Sequence, residues 1–392
     1  MFVDLTPEQQ ALRREIRRYF AALMTPESRE ATRGAESGAE YRRLIRQMGQ
    51  DGWLAVGWPK QYGGHGWSAV EQLIFFEEAQ LAEAPLPFVT LNTVGPALME
   101  IGSDAHKARF LPKIAAGELH VAMGYTEPGA GTDLAALQCA AVRDGDHFVI
   151  NGSKLFTSGA EGADYIWLAA RTDPDAPKHK GISIFMVDTR EPGFSYTPIH
   201  TVGNVRTNAT YYDGVRVPAD MMIGELNGGW RAITAQLNHE RVGLAALGVR
   251  GLGLLRRVLA WAREPVPGED GRRPIDEPWI GATLAEVYAR VGAMRLMNYR
   301  MAWEVGQGRM NPALASAAKV YGAESMIEIC RRLGEVVGTA GLVRRGSPVA
   351  ALAGDLEEEY RKCQINTFGG GVTEVLRELV AQFGLGLPRT VR

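Results

Sequence analysis

Gly124-Tyr125-Thr126-Glu127-Pro128-Gly129-Ala130-Gly131-Thr132-Asp133-Leu134 is the stretch on which the fold turns, because the pattern of apolar residues changes character around it. Its glycines let the backbone approach a ligand closely, and the hydroxyls of Thr126 and Thr132 offer donors to heterocycle or phosphate oxygens. The spacing is neither a Walker loop nor a GxGxxG turn that follows a strand. By spacing alone it reads as a tight interdomain turn at a helix-to-strand junction.

Upstream of it the chain reads as helices. Thr6-Pro7-Glu8-Gln9 supplies an N-cap, a proline in the first turn and a capping-box glutamine, and Leu12, Ile16 and Phe20 follow at four-residue spacing. Ser68-Ala69-Val70-Glu71 repeats the box before Leu73, Phe76 and Leu81, and Ser103 caps a third helix running to Gly117. Residues 1–119 are thus expected to form a helical domain. Downstream, Asp144-Gly145 and Asn151-Gly152 each carry a hairpin signal, and short strands are expected over 165–170, 182–187 and 209–217, giving a β-rich domain over 120–227. Long helical runs return from Trp230, broken by a Pro/Gly/charge loop over 264–278, and predict a helical bundle over 228–392.

Composition narrows the function. The 392 residues carry 43 basic and 45 acidic side chains, a net charge of -2, so no cationic field is available for nucleic acid or an anionic membrane surface. With 46% hydrophobic and 22% charged residues the chain is an ordinary globular one. The N-terminus lacks a basic-then-apolar leader and no apolar run reaches the ~18 residues of a spanning helix, so a cytoplasmic location is expected. Cys139, Cys330 and Cys363 are far apart and not in metal-ligand spacing, so neither metal nor disulfide is expected.

The Thr126-Glu127-Pro128-Gly129-Ala130-Gly131-Thr132-Asp133 run resembles the flavin loop of the acyl-CoA dehydrogenase family. Other segments agree in order: Gly57-Trp58-Pro59 with Tyr62-Gly63-Gly64-His65-Gly66, Asn151-Gly152-Ser153-Lys154, Gly229-Trp230, Leu237-Asn238-His239-Glu240-Arg241, Gly369-Gly370-Gly371 and Leu385-Gly386-Leu387-Pro388-Arg389. The resemblance spans essentially the whole chain. It implies an α+β fold with an N-terminal helical domain, a middle β-barrel-like domain and a C-terminal four-helix bundle, with noncovalent FAD between the last two.

Carried over by residue, the resemblance makes Tyr125, Thr126, Gly131, Thr132, Phe156, Ser158 and Gly338 cofactor-binding, with Phe156 standing where a tryptophan is more frequent. It assigns Asn238, Arg241 and Thr132 to the CoA substrate, and leaves His239 structural. The family's reaction removes an α-proton with a carboxylate while the β-hydrogen leaves as hydride to flavin N5. That chemistry needs a desolvated base and donors on the thioester oxygen. The usual C-terminal base position is here Gly370, which cannot accept a proton, so the resemblance to isovaleryl-CoA-like members makes Glu240 the base and leaves the Gly370 N–H as an oxygen donor.

Two segments that usually complete FAD across an interface are altered. No Arg-x-x-Phe-Gly pattern is found near Arg272-Arg273-Pro274-Ile275-Asp276, and Glu335 stands for glutamine before Gly338, an unfavourable charge beside a pyrophosphate unless it points elsewhere. The combination is similar to α-type subunits of bacterial steroid-CoA dehydrogenases, which implies a bulky or steroid side-chain acyl-CoA substrate, an α2β2 assembly with a sibling subunit or else a homo-oligomer, and an electron-transferring flavoprotein as acceptor. Alternatives are a homotetrameric short-, branched- or medium-chain fatty acyl-CoA dehydrogenase, a flavin oxygenase or nitroalkane oxidase on the same scaffold, and a noncatalytic partner subunit.

Overall fold

Each of the three capping boxes read from the sequence starts a helix in the computed structural model, which describes residues 4–34, 36–234, 248–265, 270–309 and 311–388. Thr6 caps α1 (Pro7–Leu23), Ser68 caps α4 (Ala69–Leu81) and Ser103 caps α6 (Asp104–Ala115), the last with His106 in the reciprocal position. Between them lie α2 (Pro26–Ala31), α3 (Ala39–Gln50) and α5 (Gly95–Ile101), the last preceded by a π-helical turn at Thr90–Val94. Ile16, Phe20, Leu44, Leu73 and Phe110 are fully buried in a core that runs without a break into the sheet.

The sheet has eight strands: β1 (Val121–Gly124), β2 (Ala140–Asp144), β3 (His147–Lys154), β4 (Tyr165–Arg171), β5 (Ile182–Asp188), β6 (Phe194–His200), β7 (Arg206–Pro218) and β8 (Met222–Ile223). Their order is β6-β7-β3-β2-β4-β5-β8, with β1 parallel to the start of β4. The expected hairpin between β2 and β3 forms with Gly145, at φ +61°, and Asp146 as its two turn residues, Asp144 pairing with His147. Asn151-Gly152 makes no hairpin. It lies inside β3 as a bulge against β7, where Gly152 has φ +145° and a Cβ would sit 2.8 Å from Cys139 Cα, while Asn151 accepts the Gly214 N–H at 2.9 Å. An Asn-Gly pair relaxes backbone sterics wherever the chain must bend, and here the bend serves close packing on β2 rather than a reversal.

The C-terminal part is helical again. A helix opens at Gly229, and beyond residues 235–247 follow α7 (Val249–Arg263), α8 (Pro278–Gly306), α9 (Pro312–Val337), α10 (Asp355–Cys363) and α11 (Thr373–Leu379). A second hydrophobic cluster, with Val258, Val287, Ile329 and Leu333 fully enclosed, joins α7, α8 and α9. Gly251 lets α7 approach α9 closely, since a Cβ there would lie 3.1 Å from Ile329. The helical parts are tied by charge as well. Glu77 on α4 accepts from Arg13 of α1 at 2.9 Å and from both Arg295 and Tyr299 of α8 at 3.0 Å. Among the described residues no helix is long and apolar enough to cross a membrane.

Candidate active site

The Gly-rich loop follows β1 rather than a helix, correcting the helix-to-strand placement. The four residues after His120 are too few for a periodic signal and pair parallel to β4. Beyond Gly124 the chain turns back on itself: Glu127 and Ala130 exchange backbone hydrogen bonds at 3.0 and 3.2 Å, and the Thr126 carbonyl accepts the Leu155 N–H at 2.8 Å. The loop is thereby stitched to the end of β3.

Beneath it lies a buried ion pair. Lys154 Nζ donates to Glu127 Oε1 at 2.7 Å and to the Tyr125 carbonyl at 3.1 Å. The Glu127 carboxylate also accepts the N–H groups of Gln138 and Cys139, at 2.7 and 2.9 Å. The ammonium has no solvent exposure, and the carboxylate and carbonyl supply the partners a buried cation requires. The Tyr125 hydroxyl accepts the Nε1–H of the buried Trp167 at 3.0 Å, fixing its ring. Thr132, Gly131 and Gly129 are exposed, and an added Cβ at either glycine would meet nothing.

Phe156 is the most unusual residue of the region. It has φ +59°, a conformation bulky side chains avoid, and yet 59% of its surface is exposed. Its neighbours hold it there. Thr157 N–H donates to the Asn208 carbonyl at 2.9 Å, Asn208 Nδ2 donates to the Thr157 carbonyl at 3.2 Å, and Ser158 Oγ lies 3.0 Å from Thr207 Oγ1. Burial of the ring does not repay that strain. Tyr125, Thr126, Gly131, Thr132, Phe156 and Ser158 thus belong to one region, at the β1 and β3 ends of the sheet.

The remaining expected site residues lie in the C-terminal part of the chain. Gly338 ends α9 at φ +69° with open space where a Cβ would be. Glu335 is paired with Arg331 and Arg332 on its own helix. Arg272 and Arg273 are likewise engaged, with Glu277 at 2.8 Å and Asp276 at 2.7 Å. Gly370 has φ +67° and Gly371 φ +110°, in a loop between α10 and α11 that Lys319 of α9 holds from below. Asn238, His239, Glu240 and Arg241 lie outside the described residues.

Sequence reasoning missed three supports: Lys154 with Glu127, Trp167, and Lys319. The first pair sits inside two quoted motifs, and Lys319 is the sole cation in the small-residue run Ala313–Gly322.

Family models for the N-terminal, middle and C-terminal domains of acyl-CoA dehydrogenases match residues 6–118, 122–215 and 227–385. The acyl-CoA dehydrogenase FadE26 of Mycobacterium tuberculosis is 50% identical, over 100% of both chains. Among solved structures, the Tcur3481-Tcur3483 steroid ACAD is 52% identical with a TM-score of 0.94, again over 100% of both chains. The ChsE4-ChsE5 complex from Mycobacterium tuberculosis is 52% identical with a TM-score of 0.93 and the same coverage.

Proposed function

The chain belongs to the acyl-CoA dehydrogenase family, and on that footing we propose that it binds FAD and α,β-dehydrogenates a bulky acyl-CoA, a steroid side-chain thioester. The observation that carries the substrate class is the full-length likeness, at 52% identity, to a steroid ACAD. Gly370 agrees with it: at the position where, by resemblance, many members of the family carry the base, nothing lies within 4 Å of the Cβ position.

Two features of the chain fit FAD. The exposed Phe156 ring offers an aromatic face to a flat heterocycle, and the open flanks of Gly129 and Gly131 let the backbone come close to a ligand. Tyr125, Thr126, Thr132 and Ser158 would hold the cofactor from the sheet side, and Gly338 from a neighbouring subunit. Bound there, FAD supplies an acceptor for the hydride equivalent leaving the β-carbon.

The protein's own part is proton chemistry and positioning. Glu240 takes the α-proton, and the Gly370 N–H donates to the thioester oxygen as it gains negative charge. Asn238 and Arg241 hold the CoA portion. A sibling subunit completes the assembly, a reading supported by the altered Arg272 and Glu335 segments and by the two-component names of the similar structures. An electron-transferring flavoprotein then reoxidises the enzyme.

Anaerobic titration of the purified protein with octanoyl-CoA, isovaleryl-CoA and a steroid side-chain CoA thioester tests this reading. Flavin bleaching by the steroid thioester alone supports it, and bleaching by the small thioesters with full FAD occupancy overturns the substrate class. Glu240→Gln should keep FAD yet reduce it slower by a factor of about 100 or more, and unchanged reduction sinks the base assignment.

A further inference from the structure

Lys319 reaches from the third turn of α9 into the loop after α10, where its Nζ donates to the carbonyl oxygens of Asn366 at 2.6 Å and Gly369 at 2.9 Å. It is largely buried, and burial alone pushes its pKa down; among the described residues no carboxylate is paired with it. A partly desolvated ammonium spent on two backbone carbonyls is unusual enough to ask what the carbonyls gain.

The answer lies in the second one. The Gly369 C=O and the Gly370 N–H are opposite ends of one planar trans peptide. Anchoring the oxygen therefore fixes the direction of the N–H. An ammonium on the oxygen also draws electron density toward it, which makes the N–H at the far end a stronger donor. The anchor is needed because Gly369, Gly370 and Gly371 have no side chains to limit rotation of the peptide planes. The Ile365 carbonyl nearby is already taken by the N–H groups of Phe368 and Gly369 at 3.1 and 2.7 Å. The Gly370 N–H, by contrast, donates to no described backbone carbonyl and remains available to a ligand.

We propose that Lys319 is a positioning residue for dehydrogenation: through the Gly369-Gly370 peptide it aims the Gly370 N–H at the thioester oxygen and strengthens it as a donor. The inference rests on the reading of Gly370 given under the proposed function. No bond is made or broken at Lys319; its charge acts while Glu240 removes the α-proton and the oxygen gains charge.

The test is the carbonyl stretch of a 1-13C-labelled steroid side-chain 2-enoyl-CoA, which binds without turnover, bound to the FAD-loaded assembly. The wild-type band should fall below its position in free solution. In K319M at least half of that fall should be lost, with kcat down ~10–100-fold and KM changed less than about threefold. K319R should restore most of both. A wild-type band that does not move overturns the role of Gly370 itself. A wild-type fall that K319M reproduces in full overturns Lys319 while leaving Gly370 standing. Should K319M not fold, K319Q keeps a neutral donor of similar reach, and a band fall equal to wild type in that variant overturns the proposal as well.

Discussion

Lys154 and Glu127 form an ion pair of 2.7 Å with the ammonium wholly enclosed, and it binds the Gly-rich loop to the third strand of the sheet. The carboxylate has two further backbone donors, whereas among the described residues the lysine's one other acceptor is the Tyr125 carbonyl. Removing one partner of such a pair leaves an uncompensated buried charge and costs ~3–5 kcal/mol. Glu127→Ala should accordingly be the harsher change, since it orphans the Lys154 charge and the Gln138 and Cys139 N–H groups together. Lys154→Met should lower the melting temperature and, because the Tyr125 carbonyl loses its anchor, reduce FAD per chain. Chemical denaturation and flavin absorbance of both variants check this, and a Glu127→Ala protein as stable as wild type would refute it.

Phe156 separates stability from cofactor binding. Its left-handed backbone costs ~1–3 kcal/mol in a bulky residue, and a glycine would release that strain. Phe156→Gly should therefore leave the FAD-free protein at least as stable as wild type while weakening FAD binding by about tenfold or more through loss of a stacking face. Phe156→Trp should retain binding. Differential scanning fluorimetry without cofactor, beside an FAD titration, reads the two effects apart.

The Glu77 cluster predicts how strongly the two helical parts depend on one another. Arg13, Arg295 and Tyr299 converge on this one carboxylate, which is almost fully buried. Burial and the adjacent Glu77 charge push the Tyr299 hydroxyl up to about 12, so it stays a donor throughout the working range. Glu77→Gln should cost ~3 kcal/mol by leaving the Arg295 guanidinium without its carboxylate, Arg13 keeping Glu78 at 3.4 Å, and Tyr299→Phe only ~1 kcal/mol. Urea denaturation of the two variants gives the comparison, and equal losses would contradict it.

The parts of this molecule that local chemistry dictates were legible in the sequence. Thr6, Ser68 and Ser103 start helices because a side-chain oxygen must satisfy the first free N–H groups, and the residues needed are adjacent in the chain. The β2–β3 hairpin was legible too, because Gly145 supplies the positive φ that its two-residue turn requires. Asn151-Gly152 carries the same kind of local signal, and there tertiary packing on Cys139 decided between turn and bulge. β1 was invisible because four residues cannot display a period. In the site, Phe156 and the loop glycines were found through resemblance to known motifs, whereas Lys319 and the Gly369 carbonyl are 50 residues apart and meet only because α9 passes under the loop.

His120 gives the chain a definite acid sensitivity. It lies at the join between the helical domain and β1, buried, with neither ring nitrogen hydrogen-bonded among the described residues. Burial first, and then the Arg42 guanidinium, pushes its pKa down to about 4; Asp164 opposes this only in part. An unfolded histidine titrates near ~6.5, so between that pH and about 4 the unfolded chain binds a proton that the folded one does not. The neutral ring's contribution is thus complete above pH ~6.5 and lost as the pH falls through this window, a total of about 3 kcal/mol from this one group. Wild-type melting temperature should drop on going from pH 7 to pH 4.5 by more than that of His120→Phe, whose side chain has no proton to bind. Surface carboxylates titrate in both proteins and cancel in the difference, so parallel curves for the two would show that His120 is protonated in the folded state and that its site is not dry.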